Sequence, residues 1–201
     1  MNQKYKSLLD YSKIDCIQYG DPVVNREELE NLFHERGYED FRWIDPKEFV
    51  ISFWVRMKCM YGCPNYGNHA SCPPHVPSFS ECQQFFQEYK ECTIFHFPKQ
   101  FDDPEERHVW TKGVNQKLSK LEREVFLSGF EKTFLLFMDT CELCDECQVL
   151  PENCKHPKFP RPTPEALCID VFSTVRKVGY PINVLKDYSE TMNRYAFLLI
   201  E

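Results

Sequence analysis

Eleven cysteines among 201 residues are the chemically most distinctive feature of this sequence, because thiolates bind metals and carry out redox reactions. Eight of them fall into two stretches. The first cysteine segment contains Cys59, Cys63, Cys72 and Cys82, and the second cysteine segment contains Cys141, Cys144, Cys147 and Cys154. The opening residues, MNQKYKSLLD, lack the apolar stretch of a signal peptide, so we expect a cytoplasmic location. Disulfides are rare in that reducing compartment, where clustered cysteines indicate metal ligands or redox catalysts.

The second cysteine segment has the more specific spacing. Its CELCDEC sequence places three cysteines two residues apart, and Cys154 follows seven residues after Cys147. This opening spacing is typical of ferredoxin-type ligation, in which a short loop reaches several irons of one cluster. Zinc sites more often use two separated C-x2-C pairs around a single tetrahedral ion. The spacing therefore predicts a 4Fe–4S cluster, with zinc or unligated structural thiols as alternatives.

The first cysteine segment has a looser spacing, Cys59-x3-Cys63-x8-Cys72, and predicts a second cluster. This spacing differs from the CxxxCxxC motif of radical enzymes that use S-adenosylmethionine, so that class of enzyme is excluded. The fourth ligand is left open between two interpretations of Cys82. Cys82 either closes the site from the first turns of a capped helix or is a small buried side chain packed beside Phe86.

The other cysteines and the nearby histidines have no ligand-like spacing. We predict buried core thiols at Cys16, Cys92 and Cys168. We expect supporting or solvated imidazoles, rather than replacements for a thiolate, at His69, His75 and His156.

The elements that must position these residues are predicted from hydrophobic and capping patterns. Apolar runs predict strands over 49–55, 93–97, 133–138, 181–185 and 196–200. Capping residues predict helices that begin near Asn25, Ser78, Asp103 and Thr163. Strands that lead into cysteine segments and then into helices are typical of α/β proteins, whose sites lie at strand ends. We therefore predict an α/β fold, with a mixed sheet flanked by helices and two cysteine-rich cluster-binding loops at strand ends.

The domain prediction divides the chain at residue 48. Residues 1–48 are expected to form an N-terminal segment with one helix packed on the main domain, and residues 49–201 the cysteine-rich metal-binding domain. The apolar runs are far shorter than the roughly 20 residues that span a membrane. The net charge of −7 argues against a nucleic-acid-binding surface. The expected partner is a redox protein or a small-molecule substrate, and the sequence gives no oligomeric state.

Several motifs make the sequence similar to a known family. They are YGCPNYGNHASCPPHVPS, LEREVFLSGFEKTFLLF, CELCDEC and CKHPKFPRPTPEALCIDVFSTVRKVGYPI, and together they cover about residues 50–200. They resemble the predicted metal-binding proteins of an uncharacterised family common in anaerobic bacteria and archaea, classed as a domain of unknown function. The resemblance implies metal ligation by Cys59, Cys63, Cys72, Cys141, Cys144, Cys147 and Cys154.

The sequence departs from the pattern of that family in two places. Asp139 and Thr140 stand where a small residue and proline are expected before the first cysteine of the second segment. Cys168 stands where glycine is expected before the IDV run. Neither departure removes a ligand, and the second adds a thiol near a site.

These observations support three functional hypotheses. The first is an iron–sulfur protein that relays electrons in anaerobic metabolism. The second is an iron–sulfur enzyme, in which three cysteines of the first segment leave one iron open to polarise a small substrate. The third is a structural or interaction module stapled by zinc.

Overall fold

The computed structural model describes residues 25–103, 105–187 and 189–201. Cys16 therefore lies outside the described residues. The helices are α1 (Arg26–Glu35), α2 (Phe53–Gly62), α3 (Phe79–Gln87), α4 (Glu106–Leu127) and α5 (Val171–Lys177). The strands are β1 (Phe41–Ile44), β2 (Cys92–Lys99), β3 (Phe134–Leu136) and β4 (Met192–Leu199). Within these ranges, no helix is both long enough and apolar enough to cross a membrane.

The four strands form one sheet in the order β1-β2-β4-β3, and each neighbouring pair is antiparallel. The two central strands pair over their whole length, from Cys92 opposite Leu199 to Lys99 opposite Met192. Successive side chains in a strand point to opposite faces, so Ile94 and Phe95 enter different cores. The sheet is therefore the middle layer of the molecule.

Each face of the sheet is covered by helices. On one face, Phe86 of α3 and Val175 of α5 belong to the same buried cluster as Ile94. On the other face, Phe33 of α1 and Leu118 of α4 pack in the cluster that contains Phe95. Burial on both faces explains why the central strands consist largely of apolar residues.

The helix starts follow local capping chemistry. Ser78 and Glu81 form the predicted capping box, with the Ser78 backbone N–H donating to the Glu81 carboxylate at 2.7 Å. At the start of α1 the Asn25 side chain accepts a bond from the Glu28 backbone N–H at 3.4 Å. The helix predicted from Thr163 starts later, because Asp170 caps α5 after a short turn over Glu165–Leu167.

The predicted strand over 49–55 is wrong. Only Ile51 forms a bridge, with Ile169, and α2 begins at Phe53. The run was assigned to a strand because aromatic and β-branched residues favour pleated, half-buried surfaces. In the structure Phe49 and Val55 are buried, but Phe53 and Trp54 are about half exposed, so the run lacks the continuous burial of a central strand. The first cysteine segment therefore begins inside a helix, whereas the second follows β3.

The predicted α/β class is confirmed, although the described pairings are antiparallel rather than mixed. The stretch 181–185 is irregular instead of forming the predicted strand, and β1 was not predicted. The domain boundary at residue 48 stays a prediction. Both elements before that boundary join the cores, through Phe33 of α1 and Ile44 of β1.

Candidate metal centre

The second cysteine segment runs through irregular chain between β3 and the turn at Glu165–Leu167. Its four cysteines are all half-buried, and they line one cleft. The cleft is closed by residues 69–71 of the first segment and by His156 and Pro160. The structure thus brings the thiols of Cys141, Cys144, Cys147 and Cys154 to one place. That they bind a metal stays a prediction.

The cleft has a volume of about 20 Å³, which is room for roughly one water-sized sphere. In the described part of the chain, no three His, Cys, Asp or Glu side chains are arranged to hold an ion. The donor set itself suits a metal, because four thiolates are the ligands that iron–sulfur clusters and structural zinc both use.

Cys141 is the most perturbed thiol of this cleft. Burial raises its pKa, and the neighbouring Cys147, Cys154 and Cys144 raise it further, whereas a hydrogen bond from the Leu143 backbone opposes the rise. Thiolates crowded in this way repel one another. A bound cation would remove that repulsion, and metal binding would release protons from the thiols.

Backbone donors also face the cysteine sulfurs. The His156 backbone N–H donates to the Cys154 sulfur at 3.4 Å, and the Leu143 backbone supplies the donor at Cys141. Such N–H···S bonds favour the thiolate form of a ligand and tune a cluster's potential.

The first cysteine segment places three thiols around the end of α2. Cys59 lies in the last turn of the helix, Cys63 follows its end, and Cys72 is buried in the turn that comes next. Burial and the neighbouring Cys63 raise the pKa of Cys59. Burial, and then Cys63, raise the pKa of Cys72 to about 12, whereas a hydrogen bond from Thr140 opposes the rise. The three thiols thus lie within electrostatic range of one another.

Cys82 has a different environment. It lies in the first turn of α3, is 1% exposed and belongs to the apolar core with Phe86. Its sulfur lies 3.6 Å from the Pro77 carbonyl, and its thiol is hydrogen-bonded to Cys168. This placement is that of a core thiol. Ligation by Cys82 stays a prediction, and it requires the Cys82 side chain to leave Cys168.

One family of known proteins matches most of this chain. Residues 42–200 match the family model described as "Predicted metal-binding protein (DUF2284)". The chain belongs to this family. Both cysteine segments lie inside the matched residues, so metal binding by a cysteine-rich domain is supported, and the identity of the metal is left open. No curated protein and no solved structure matched the chain.

Cys168 is the position where glycine was expected from the family pattern. Its backbone is left-handed, with φ of 66°, a conformation that glycine adopts more easily than other residues. Its carbonyl accepts a bond from the Ser52 backbone at 2.9 Å, which ties the start of α2 to this turn. A hydrogen bond from Cys82 lowers the pKa of Cys168, and Arg56 lowers it further. Full burial of Cys92 and Cys168 confirms them as core positions.

Thr140 is a residue that the spacing analysis missed. It precedes Cys141, accepts a hydrogen bond from Asn65 at 3.2 Å and donates to Cys72. The charge of Cys141 also acts on Cys72. The two cysteine segments are therefore neighbours joined through Thr140. The only sequence signal for this role was the departure from the family pattern at Thr140.

The acids of the second segment face bases on α4. His108 Nδ1 lies 2.7 Å from the Glu142 carboxylate, and Lys112 Nζ lies 3.9 Å from that of Asp145. Sequence alone shows acidic residues and no Lys or Arg between Cys141 and Cys154. The fold brings the compensating bases from another element, so the local charge is less negative than the segment itself suggests.

Proposed function

We propose that this protein is a cytoplasmic iron–sulfur protein that relays electrons, with a 4Fe–4S cluster held by the second cysteine segment. The observation that supports this most is the meeting of four half-buried thiols around one cleft, in a segment with ferredoxin-like spacing. Partial burial suits electron transfer, because it limits solvent access while keeping the site near the surface. A bound cluster would supply one-electron redox chemistry.

The chain's own groups have distinct roles in this proposal. Cys141, Cys144, Cys147 and Cys154 are the ligands. The backbone donors of Leu143 and His156 orient the sulfurs and stabilise their negative charge. His69 and the residues after it close the cleft against water. A second cluster in the first segment would use Cys59, Cys63 and Cys72.

A second candidate function is favoured by the pairing of Cys82 with Cys168. If Cys82 stays in that pair, the first site has three thiolates and one position open to an exchangeable ligand. An open position can bind and polarise a small substrate, which would make the protein an enzyme. Its partner would then be a small molecule instead of, or besides, a redox protein.

The experiment that tests the proposal is a measurement of iron, acid-labile sulfide and zinc in protein purified without oxygen. We expect iron and sulfide in equal amounts, about four of each per cluster. The matched variants are Cys144→Ser, which removes one proposed ligand, and Cys92→Ala, which changes a buried thiol of β2. The first should lose a cluster and the second should not. Zinc without sulfide would contradict both iron–sulfur functions and favour the zinc-stapled module.

A further inference from the structure

A cavity of about 250 Å³ lies outside both cysteine segments, between the start of β4, the chain 181–185 and the start of α5. Most of its lining is apolar, including Val171, Ile182 and Leu185. Glu165 and Arg194 are among its few polar lining groups. Apolar walls with a few converging polar groups are typical of pockets that bind small molecules.

Two arginines near this cavity share a single carboxylate, that of Asp139. Arg194 and Arg107 both approach Asp139, at 3.7 and 3.9 Å, which is too far for a hydrogen bond. The Arg107 Nε is buried and has no hydrogen-bond partner among the residues that the structure describes. Arg194 Nε is directed at the Met192 sulfur at 3.0 Å, which leaves the terminal nitrogens as the donors available to a ligand among the described contacts.

A second cavity, of about 210 Å³, continues beyond Arg194. Arg107 and Lys99 line it, together with the carboxylates of Glu105 and Glu190. Arg194, Met192 and Leu185 line both cavities, so they lie where the two adjoin. A charged group at such a junction can hold the polar end of a ligand whose apolar part lies in the first cavity.

Glu165 lies on the wall of the first cavity and near the first cysteine segment. Burial raises the pKa of its carboxyl group, whereas Arg194 lowers it and Asp139 raises it. The charge of Glu165 acts in turn on Cys59.

We propose that this cavity binds a small monocarboxylate with an apolar body. The carboxylate lies on the Arg194 guanidinium, and the body packs against Val171, Ile182 and Leu185. The site needs no bound metal, so it is independent of the electron-relay function. If the open-site enzyme is correct, this pocket places its ligand beside the first cysteine segment.

Calorimetric titration of the full-length protein with benzoate tests this proposal, with benzamide as an uncharged analogue of the same shape. We expect benzoate to bind and benzamide to bind at least about tenfold more weakly, because only the anion pairs with Arg194. Arg194→Gln should weaken benzoate binding by a similar factor. Arg36→Gln, which makes the same charge change directly after the end of α1, should leave it unchanged.

A second variant keeps the test valid if Arg194→Gln does not fold. Ile182→Trp fills the cavity without changing the charge, and it should abolish benzoate binding. Equal binding of benzoate and benzamide, equal effects of the two arginine variants, or undiminished binding to Ile182→Trp would each overturn the proposal. So would the absence of benzoate binding to the wild-type protein at millimolar concentration.

Discussion

The two cysteine segments differ in how their thiols are brought together. In the second segment, four cysteines lie in one irregular stretch of chain and line one cleft. In the first, Cys59 belongs to α2 and Cys82 to α3, and the Cys82 thiol is paired with Cys168. Short spacing along the chain forces side chains to be neighbours, whereas ligands on separate helices meet only if helix packing aims them together. The second segment is therefore the stronger candidate for a metal centre.

The largest expected effect is on iron content, which should differ between a variant of the second segment and a variant of the first. Cys144→Ser should lose all the iron of one cluster, because it removes one of the four thiolates that line the cleft of the second segment. Cys82→Ser should keep the wild-type iron content, because the Cys82 thiol interacts with Cys168 and the Pro77 carbonyl instead of with a metal. Iron and sulfide analysis of the two variants checks this. If Cys82→Ser loses as much iron as Cys144→Ser, Cys82 is a ligand and the contrast between the segments disappears.

The second prediction concerns the contact that joins the segments. Thr140→Val keeps the shape of the side chain and removes its hydroxyl, which leaves Asn65 and Cys72 without that partner. We expect the free energy of unfolding of the metal-free protein to fall by about 1–3 kcal/mol. Thr140→Ser retains the hydroxyl and is the matched control. Denaturant unfolding measures both, and equal stability of the Val and Ser variants would show that the hydroxyl contributes nothing.

The third prediction tests the backbone at Cys168. Glycine and alanine both remove the thiol, so the two variants differ only by the Cβ methyl, which is strained at a positive φ but is buried at this position. Cys168→Gly should be more stable than Cys168→Ala by about 1 kcal/mol, because glycine has no Cβ to strain a positive φ. Thermal unfolding of the two proteins under identical conditions measures the difference. An alanine variant as stable as the glycine variant would rule out this explanation for the family's glycine.

The smallest expected effect concerns charge at the second segment. Glu142→Gln should raise the midpoint potential, because a negative charge near the cluster opposes reduction. Interactions between charges near a protein surface contribute only about 0.2–1 kcal/mol, so the shift of this one-electron couple should be roughly 10–40 mV. Anaerobic redox titration measures the potential. The control is Glu131→Gln, which makes the same charge change at a residue that follows the end of α4. Equal potentials in both variants would show that the acids only solvate the segment.

The sequence predicted the features that depend on neighbouring residues. The Ser78–Glu81 capping box and the central strands are local patterns, and they appear near the predicted positions. The run at 49–55 misled because propensity does not reveal exposure, and α2 leaves Phe53 and Trp54 half exposed. Strand β1 was missed because four residues carry too weak a pattern.

The candidate metal centre shows the same difference between features that follow from neighbouring residues and features that do not. The grouping of thiols from Cys141 to Cys154 follows from their spacing, and the structure places them on one cleft. The contacts of Thr140 with Asn65 and Cys72, and of Cys168 with Cys82, join residues far apart in the chain. No periodicity encodes such contacts. Only the departures from the family pattern at Thr140 and Cys168 indicated that these positions are unusual.

The most direct test of the central claim is the low-temperature electron paramagnetic resonance spectrum of a reduced variant that lacks the first site. This variant carries Cys59→Ser, Cys63→Ser and Cys72→Ser, and it leaves the second cysteine segment intact. The account predicts that it retains the signal of one reduced 4Fe–4S cluster, together with the matching iron and sulfide. A folded variant without that signal and without iron would contradict the claim that the second segment holds a cluster by itself.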